Sequence, residues 1–287
     1  MSTERLNAIA SDTIDDVVFE KGKVVICIDS KRYTISQESY LSGYFYPGKV
    51  LSSEEMKTLT ESSRLVKAND YLHRLLSQGR YTEKMAATKL RTHFPNLRQS
   101  EIHTLLKPYL DSHVIDDKSY VVDFIQAKQE QGYGKAYLVQ SMKQFGVPQK
   151  ILDSSDVQAL LNTEDSNDPM LLSLIGRLDR HYAGQPLEKR KAAIQAGLSR
   201  RGYSLAVIQE AIRSHFDGYS KDQWEEDRIR QDKSLKDEMT KCYNSLKSRP
   251  VDDSKKRQLL IDRLLRKGYS YAAISTLLTK ERYFQHD

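Results

Sequence analysis

The residue types that chemistry requires occur in this 287-residue chain in a few small groups, and their spacing decides what each can do. Asp116-Asp117 are adjacent carboxylates, a pair able to chelate a divalent cation or share a proton. They stand directly before the helical run 118–131, where aspartate side chains accept from exposed N–H groups and complement the helix dipole, so they read as caps. Gly132-Tyr133-Gly134-Lys135 invites a phosphate-loop reading. It lacks a preceding strand and the GxxxxGK[ST] spacing, and reads as a break between helices. Tyr133 and Tyr137 are expected to pack in a core or rim rather than to stack on bases. His93, His103 and His113 lie ten residues apart on different helices or helix ends and match no zinc-ligand spacing. Cys27 and Cys242 stand alone outside any CxxC, which excludes a cysteine zinc site and suits a reducing cytosol. No GxSxG elbow and no cysteine–histidine cue is present. The expectation is a protein that acts by binding, with no catalytic residue, metal or cofactor.

Basic side chains form the remaining pattern. On a wheel at about 100° per residue with Arg257 at zero, Lys255, Lys256, Arg263, Arg266 and Lys267 fall between about 160° and 280°. Leu260, Ile261, Leu264 and Leu265 fall between about 300° and 80°, the side expected to be buried. With Lys191 at zero, Lys189, Arg190, Arg200 and Arg201 occupy the same arc of about 160° to 280°, and Ile194 and Leu198 face inward. One such arc is an ordinary solvated face, and bases at a helix end also complement its dipole. Its recurrence at matched positions predicts a stripe suited to phosphates or to an acidic protein groove.

These arcs are held in place by a phrase the chain uses twice and paraphrases once. Gly202-Tyr203-Ser204-Leu205-Ala206-Val207-Ile208 returns as Gly268-Tyr269-Ser270-Tyr271-Ala272-Ala273-Ile274, and Gly146-Val147-Pro148-Gln149-Lys150-Ile151-Leu152 is a looser copy. Each glycine is expected just past a helix end in the left-handed conformation. The next residue then packs back onto the helix, Tyr203 on Leu198, Tyr269 on Leu264 and Val147 on Met142. Ser204 and Ser270 follow as N-caps. The glycines are 56 and 66 residues apart, so one three-helix unit is reused with a variable first helix.

The rest of the chain fits this frame. Val17-Val18-Phe19, a Lys21-Gly22-Lys23 turn, Val24–Ile28 and Arg32–Ile35 predict a small antiparallel sheet, followed by a Ser/Tyr/Gly stretch and a helix starting near Ser53. The predicted fold class is mostly α, tandem three-helix repeats in an elongated array behind a small N-terminal antiparallel β region. The expected divisions are 1–62 for the β region, then repeats over 63–115, 116–165, 166–219 and 220–287. The second repeat is expected to end in an acidic loop over 153–168, and the fourth to open with a long polar helix over 221–247. No run of about 18 apolar residues occurs, so no membrane span is expected, and 1–13 lacks the apolar core of a leader. The charge is uneven: residues 1–62 carry seven Lys/Arg against ten Asp/Glu, and the helical remainder carries 38 against 29. A basic helical part makes an acidic partner plausible.

Several of these segments, in this order, resemble the RecX family of recombination regulators. Ile115-Asp116-Asp117-Lys118-Ser119-Tyr120 matches the step that closes the family's first repeat. Gly132-Tyr133-Gly134-Lys135 matches its basic break, and Gln144-Phe145-Gly146-Val147 and Arg200-Arg201-Gly202-Tyr203-Ser204 match its joints. The sheet with Ile35-Ser36 and Gly48-Lys49-Val50-Leu51 is similar to the extension of longer Gram-positive members. Phe94-Pro95 and Gln144-Phe145 depart from the basic consensus of the joints. The resemblance implies a cytoplasmic, non-enzymatic inhibitor. It would bind the RecA–single-stranded DNA filament and restrain its ATP hydrolysis, strand exchange and coprotease activity in the SOS response. It leaves open whether the basic stripe meets RecA, single-stranded DNA or both; a monomer with no membrane partner is expected. The alternative is a DNA-binding regulator that uses one three-helix unit as a helix-turn-helix. Against it, the third helices begin with apolar Leu205-Ala206-Val207-Ile208 and Tyr271-Ala272-Ala273-Ile274, where a recognition helix needs polar side chains.

Overall fold

Two short turns, each with two residues of positive φ, fold the β-branched segments near the start into a hairpin meander. In the computed structural model, which describes residues 12–281, β1 (Asp16–Glu20), β2 (Lys23–Ile28) and β3 (Lys31–Ser36) form an antiparallel sheet in that order. Lys21 and Gly22 make the first turn, and Asp29 and Ser30 make the second without a glycine. Val24, Ile26 and Ile28 of β2 alternate onto one face and pack with Ile14, Ile35, Phe45, Leu51 and Leu59. Residues 1–11, most of the stretch expected to hold no leader, and the last six residues assigned to the fourth repeat lie outside the described residues.

Fourteen helices follow among the described residues. The Ser/Tyr/Gly stretch holds a helix the sequence reading did not find, α1 (Gln37–Gly43), because Ser36 caps it by accepting from the Ser39 N–H. α2 (Ser53–Gln78) opens with a Ser52–Glu55 capping box and runs unbroken through the point where the β region was expected to give way to helices. With α3 (Glu83–His93) and α4 (Gln99–Asp111) it encloses a core of Ala68, Leu72, Ala86, Leu90, Ile102, Leu106 and Ile115. α5 (Asp117–Glu130), α6 (Lys135–Gln144), α7 (Gln149–Leu152) and α8 (Ser155–Leu161) come next. The expected acidic loop over 153–168 is therefore helical in its first half: Val157 and Leu161, one turn apart, are buried, and that apolar pair outweighs the flanking acids. α9 (Pro169–His181), α10 (Leu187–Arg200) and α11 (Leu205–Asp217) surround Leu171, Leu174, Ile175, Ile194, Leu198, Ile208, Ala211 and Phe216. α12 (Lys221–Lys247), α13 (Asp253–Arg266) and α14 (Tyr271–Glu281) surround Leu235, Met239, Cys242, Leu246, Leu260, Leu264, Ile274 and Leu278.

The chain divides into two compact units. One runs to Tyr120 and includes Phe145–Val147; the other comprises Val121–Gln144 and everything from Pro148 onward.

The repeated phrase builds the joints as expected. Gly146, Gly202 and Gly268 have φ of +78°, +86° and +89°. The Gly202 and Tyr203 N–H groups donate back to Ser199 and Leu198, and Gly268 and Tyr269 donate to Leu265 and Leu264, the paired bonds of a Schellman end. Ser204 and Ser270 cap α11 and α14.

Each joint also docks on the first turn of the preceding repeat's second helix. In the first unit the Thr82 hydroxyl donates to the Phe145 carbonyl at 2.7 Å, and the Lys84 stem lies against Gly146. In the second unit the N–H groups of Gly134, just before α6, and of Ala136 in its first turn donate to the Arg201 and Gly202 carbonyls at 2.8 and 3.0 Å. The Lys189 ammonium of α10 donates to the Arg266 carbonyl, and its stem lies under Gly268. A helix C-terminus has unsatisfied carbonyls and a helix N-terminus has donors, so end-to-end docking satisfies both.

Candidate partner interface

The nine basic residues expected to form one stripe divide into three groups. In α10 and α13 the fully buried positions, Ile194 with Leu198 and Leu260 with Leu264, centre the core side near 320° on the wheel. Lys189, Arg200, Lys255 and Arg266, at about 160° to 180°, lie opposite and are exposed. Arg190 and Lys256, at about 260°, sit on the flank, where a neighbouring element can cover them. Arg201, Arg263 and Lys267 lie at about 240° to 280° and turn along the surface to partners within the chain.

Arg190 is the correction to the expected stripe. It is 1% exposed, the largest fully buried side chain among the described residues, and cannot meet a partner's surface. Its guanidinium grips both oxygens of Asp227 on α12 and lies 3.3 Å from Asp179 on α9. Asp179 also accepts from the Tyr219 hydroxyl and stands 3.1 Å from His215 Nε2, and Gln231 donates to Asp227 at 2.7 Å. Burial first, and then the bond to Asp179, hold the Tyr219 hydroxyl protonated far above its usual range. Arg190 therefore fastens the long helix of the fourth repeat to the third. Sequence reading missed Asp179 and Asp227; the signal was a carboxylate on the apolar side of Met170–Leu178 and an arginine only about 60° from the core axis.

Lys256 pairs with Asp253 at 3.0 Å and its side chain is only 14% exposed. Arg201 donates to the Gln131 and Gly132 carbonyls and lies over the Tyr133 ring, which stacks on Tyr137 with centroids 4.1 Å apart. Both tyrosines are thus packing residues. Arg263 donates to the Ser245 hydroxyl, and Lys267 pairs with Glu238, whose hydrogen bond raises the lysine pKa and lowers the carboxylate's. Leu265, placed toward the core, is 41% exposed because it lies about 120° from the core axis.

The exposed face is shared by three second helices of the second unit. Counting back from the joint glycines puts Lys143-Gln144 of α6, Ser199-Arg200 of α10 and Leu265-Arg266 of α13 at one position, and all six residues are exposed. This face, with Lys255 at the other end of α13, is what remains of the stripe for a partner, because the Lys189 ammonium is engaged by the Arg266 carbonyl. Leu205 and Tyr271, 54% and 61% exposed, open the third helices with apolar side chains, which does not suit base readout.

The other candidate groups have structural positions. The Asp116 carboxylate accepts from the Lys118 and Ser119 N–H groups, and Asp117 accepts from the Glu83 N–H at 2.8 Å. Desolvation raises the Asp117 pKa. Gly132-Tyr133 ends α5 with donations to Gln129 and Lys128. His93 stacks on Tyr71, and His113 takes a positive φ beyond α4. Among the described residues no cluster of three His, Cys, Asp or Glu side chains is arranged to hold a metal ion, and no helix is long and apolar enough to cross a membrane. One further residue escaped sequence reading: Glu164 accepts from the Lys135 N–H through one oxygen and from the Ser204 N–H through the other, so one loop carboxylate serves two helix starts.

No family model matches the chain. A protein of Streptococcus agalactiae named regulatory protein RecX is 23% identical over 246 residues, covering 85% of this chain and 89% of that protein. One of the same name from Limosilactobacillus reuteri is 22% identical over 66% of this chain and 70% of its own length. A crystal structure of a regulatory protein RecX superposes with a TM-score of 0.51 and 20% identity over 70% of this chain and 98% of its own, a likeness of fold. The resemblance read from the joints and the Asp-Asp step is borne out by these relatives.

Proposed function

We propose that this RecX-like chain is a regulator that binds the RecA–single-stranded DNA filament and inhibits its ATPase, strand-exchange and coprotease activities, without chemistry of its own. The observation that supports this reading is the reach of the similarity. It covers 85% of the chain and 89% of a protein named regulatory protein RecX, so it takes in the array of modules and not one helical hairpin. The surface agrees with it: Arg200, Arg266 and Lys255 stand on the exposed side of stacked modules, suited to a long, negatively charged partner. Co-sedimentation with RecA filaments on single-stranded DNA tests the reading. Binding to filaments well above binding to the same DNA alone is the expected result, and equal capture by bare DNA would favour a DNA-binding regulator instead.

A further inference from the structure

The exposed side of α6 carries a feature that the basic face of α10 and α13 lacks. Ala136, Val139, Gln140 and Lys143 recur at helical spacing and form one wall of an open groove of about 750 Å³, with Gly202 and Ser204 of the next joint as the other. Its floor is mostly apolar, with Ala136 and Val139 as its apolar side chains. Cations stand at both ends, Lys143 and Lys135, eight residues or about 12 Å apart along the helix. The Lys135 ammonium donates to the neutral Asn162 side-chain oxygen at 2.6 Å, which leaves its charge uncompensated by that partner. The single carboxylate in the lining, Glu164, accepts from the Lys135 and Ser204 N–H groups, and the two lysines outnumber it. No arginine and no aromatic ring lines the groove, so it offers neither forks for phosphates nor platforms for bases.

From this charge pattern we infer that the groove docks an extended acidic segment of the protein partner, one apolar side chain on the floor and a carboxylate toward each lysine. An extended chain covers about 12 Å in roughly four residues, so the carboxylates would flank the apolar residue at i−2 and i+2. The inference rests on the functional reading above and takes the protein component of the filament, not its DNA, as the occupant of this groove. Such a segment would use apolar contact for affinity and the two ion pairs for register.

Zero-length carbodiimide coupling on RecA filaments tests it, because the reagent joins an ammonium directly to a carboxylate and leaves phosphodiesters unlinked. Peptide mapping should find Lys143 joined to an aspartate or glutamate of RecA. Val139→Glu should weaken filament inhibition about tenfold or more with an unchanged circular dichroism spectrum, since it places a carboxylate where the apolar side chain docks. Lys143→Arg, which keeps the charge, should inhibit like the parent and lose the cross-link. If Val139→Glu inhibits like the parent, or the Lys143 ammonium joins no RecA carboxylate while the parent inhibits, the groove assignment is wrong and the functional reading stands. A parent chain that leaves RecA uninhibited would instead remove the reading, and the assignment with it.

Discussion

Gly202→Ala and Gly268→Ala make the same chemical change at matched joints, and the structure gives them different consequences. Both glycines are left-handed, at φ +86° and +89°, so alanine at either carries a conformational cost of about 1 kcal/mol. At Gly268 the new methyl would meet the Lys189 stem, with Cε at 2.9 Å, and a flexible side chain can move aside. At Gly202 it would run into the backbone nitrogen of Tyr137 and its Cβ at 2.6 Å, atoms held inside α6. Relief there means pushing the joint off α6 and stretching the bonds from Gly134 and Ala136 to the Arg201 and Gly202 carbonyls. Overpacking against fixed atoms adds about 1–3 kcal/mol, giving about 3 kcal/mol in total for Gly202→Ala. For a unit of this size that is a fall in melting temperature of about 6–12 °C, against about 2–4 °C for Gly268→Ala. Urea and thermal unfolding of the two variants beside the parent measure the difference. Equal losses, or a larger loss at Gly268, would refute the claim that each joint is shaped by the helix it docks on.

Four other outcomes follow from the same structure. Asp227→Ala leaves the Arg190 guanidinium buried without its main partner and should cost about 3–5 kcal/mol, read by urea unfolding, whereas replacing Asp179, Arg190 and Asp227 together by apolar residues of similar volume should cost less than the single change. Glu55 is held at about 2, chiefly by its hydrogen bond with Lys49 and then by the Ser52 backbone, so its contribution to stability is complete above its ordinary 4.5 and is lost as pH falls toward 2; Glu55→Gln should flatten that part of the pH–stability curve. Asp117 has the opposite sign: burial raises its pKa, so ionisation weakens the fold as pH rises past its ordinary 3.8, and Asp117→Asn should be neutral or stabilising at pH 7 but not at pH 3. Arg200→Glu with Arg266→Glu should keep the fold and weaken filament binding; if those residues meet phosphates, the log–log salt slope should fall by about 0.7 per contact removed.

The joints were legible in the sequence because their physics is local. A left-handed glycine, an apolar residue packing back and a serine cap lie within a few residues of one another, so Gly202-Tyr203-Ser204 specifies its own geometry. The same holds for the β2 segment and the Lys21-Gly22 turn. The fate of the basic residues was not legible, because the wheel fixes an angle and not the neighbour at that angle. Arg190 and Arg200 both fell in the expected arc; α12 covers one and the other is exposed, and the residue that decides it, Asp227, is 37 positions away. Glu164 was hidden for the same reason, since the two N–H groups it serves lie 29 and 40 residues from it. α8 was read as loop because its acids are more conspicuous than the two apolar residues that fix it.

The central claim is that this chain restrains RecA, and titration of the intact protein into RecA-driven, single-stranded-DNA-dependent ATP hydrolysis tests it most directly. Saturable inhibition is expected at concentrations where the chain does not exclude RecA by coating bare DNA. Unchanged hydrolysis at saturating protein, with the chain folded and RecA active, would contradict it.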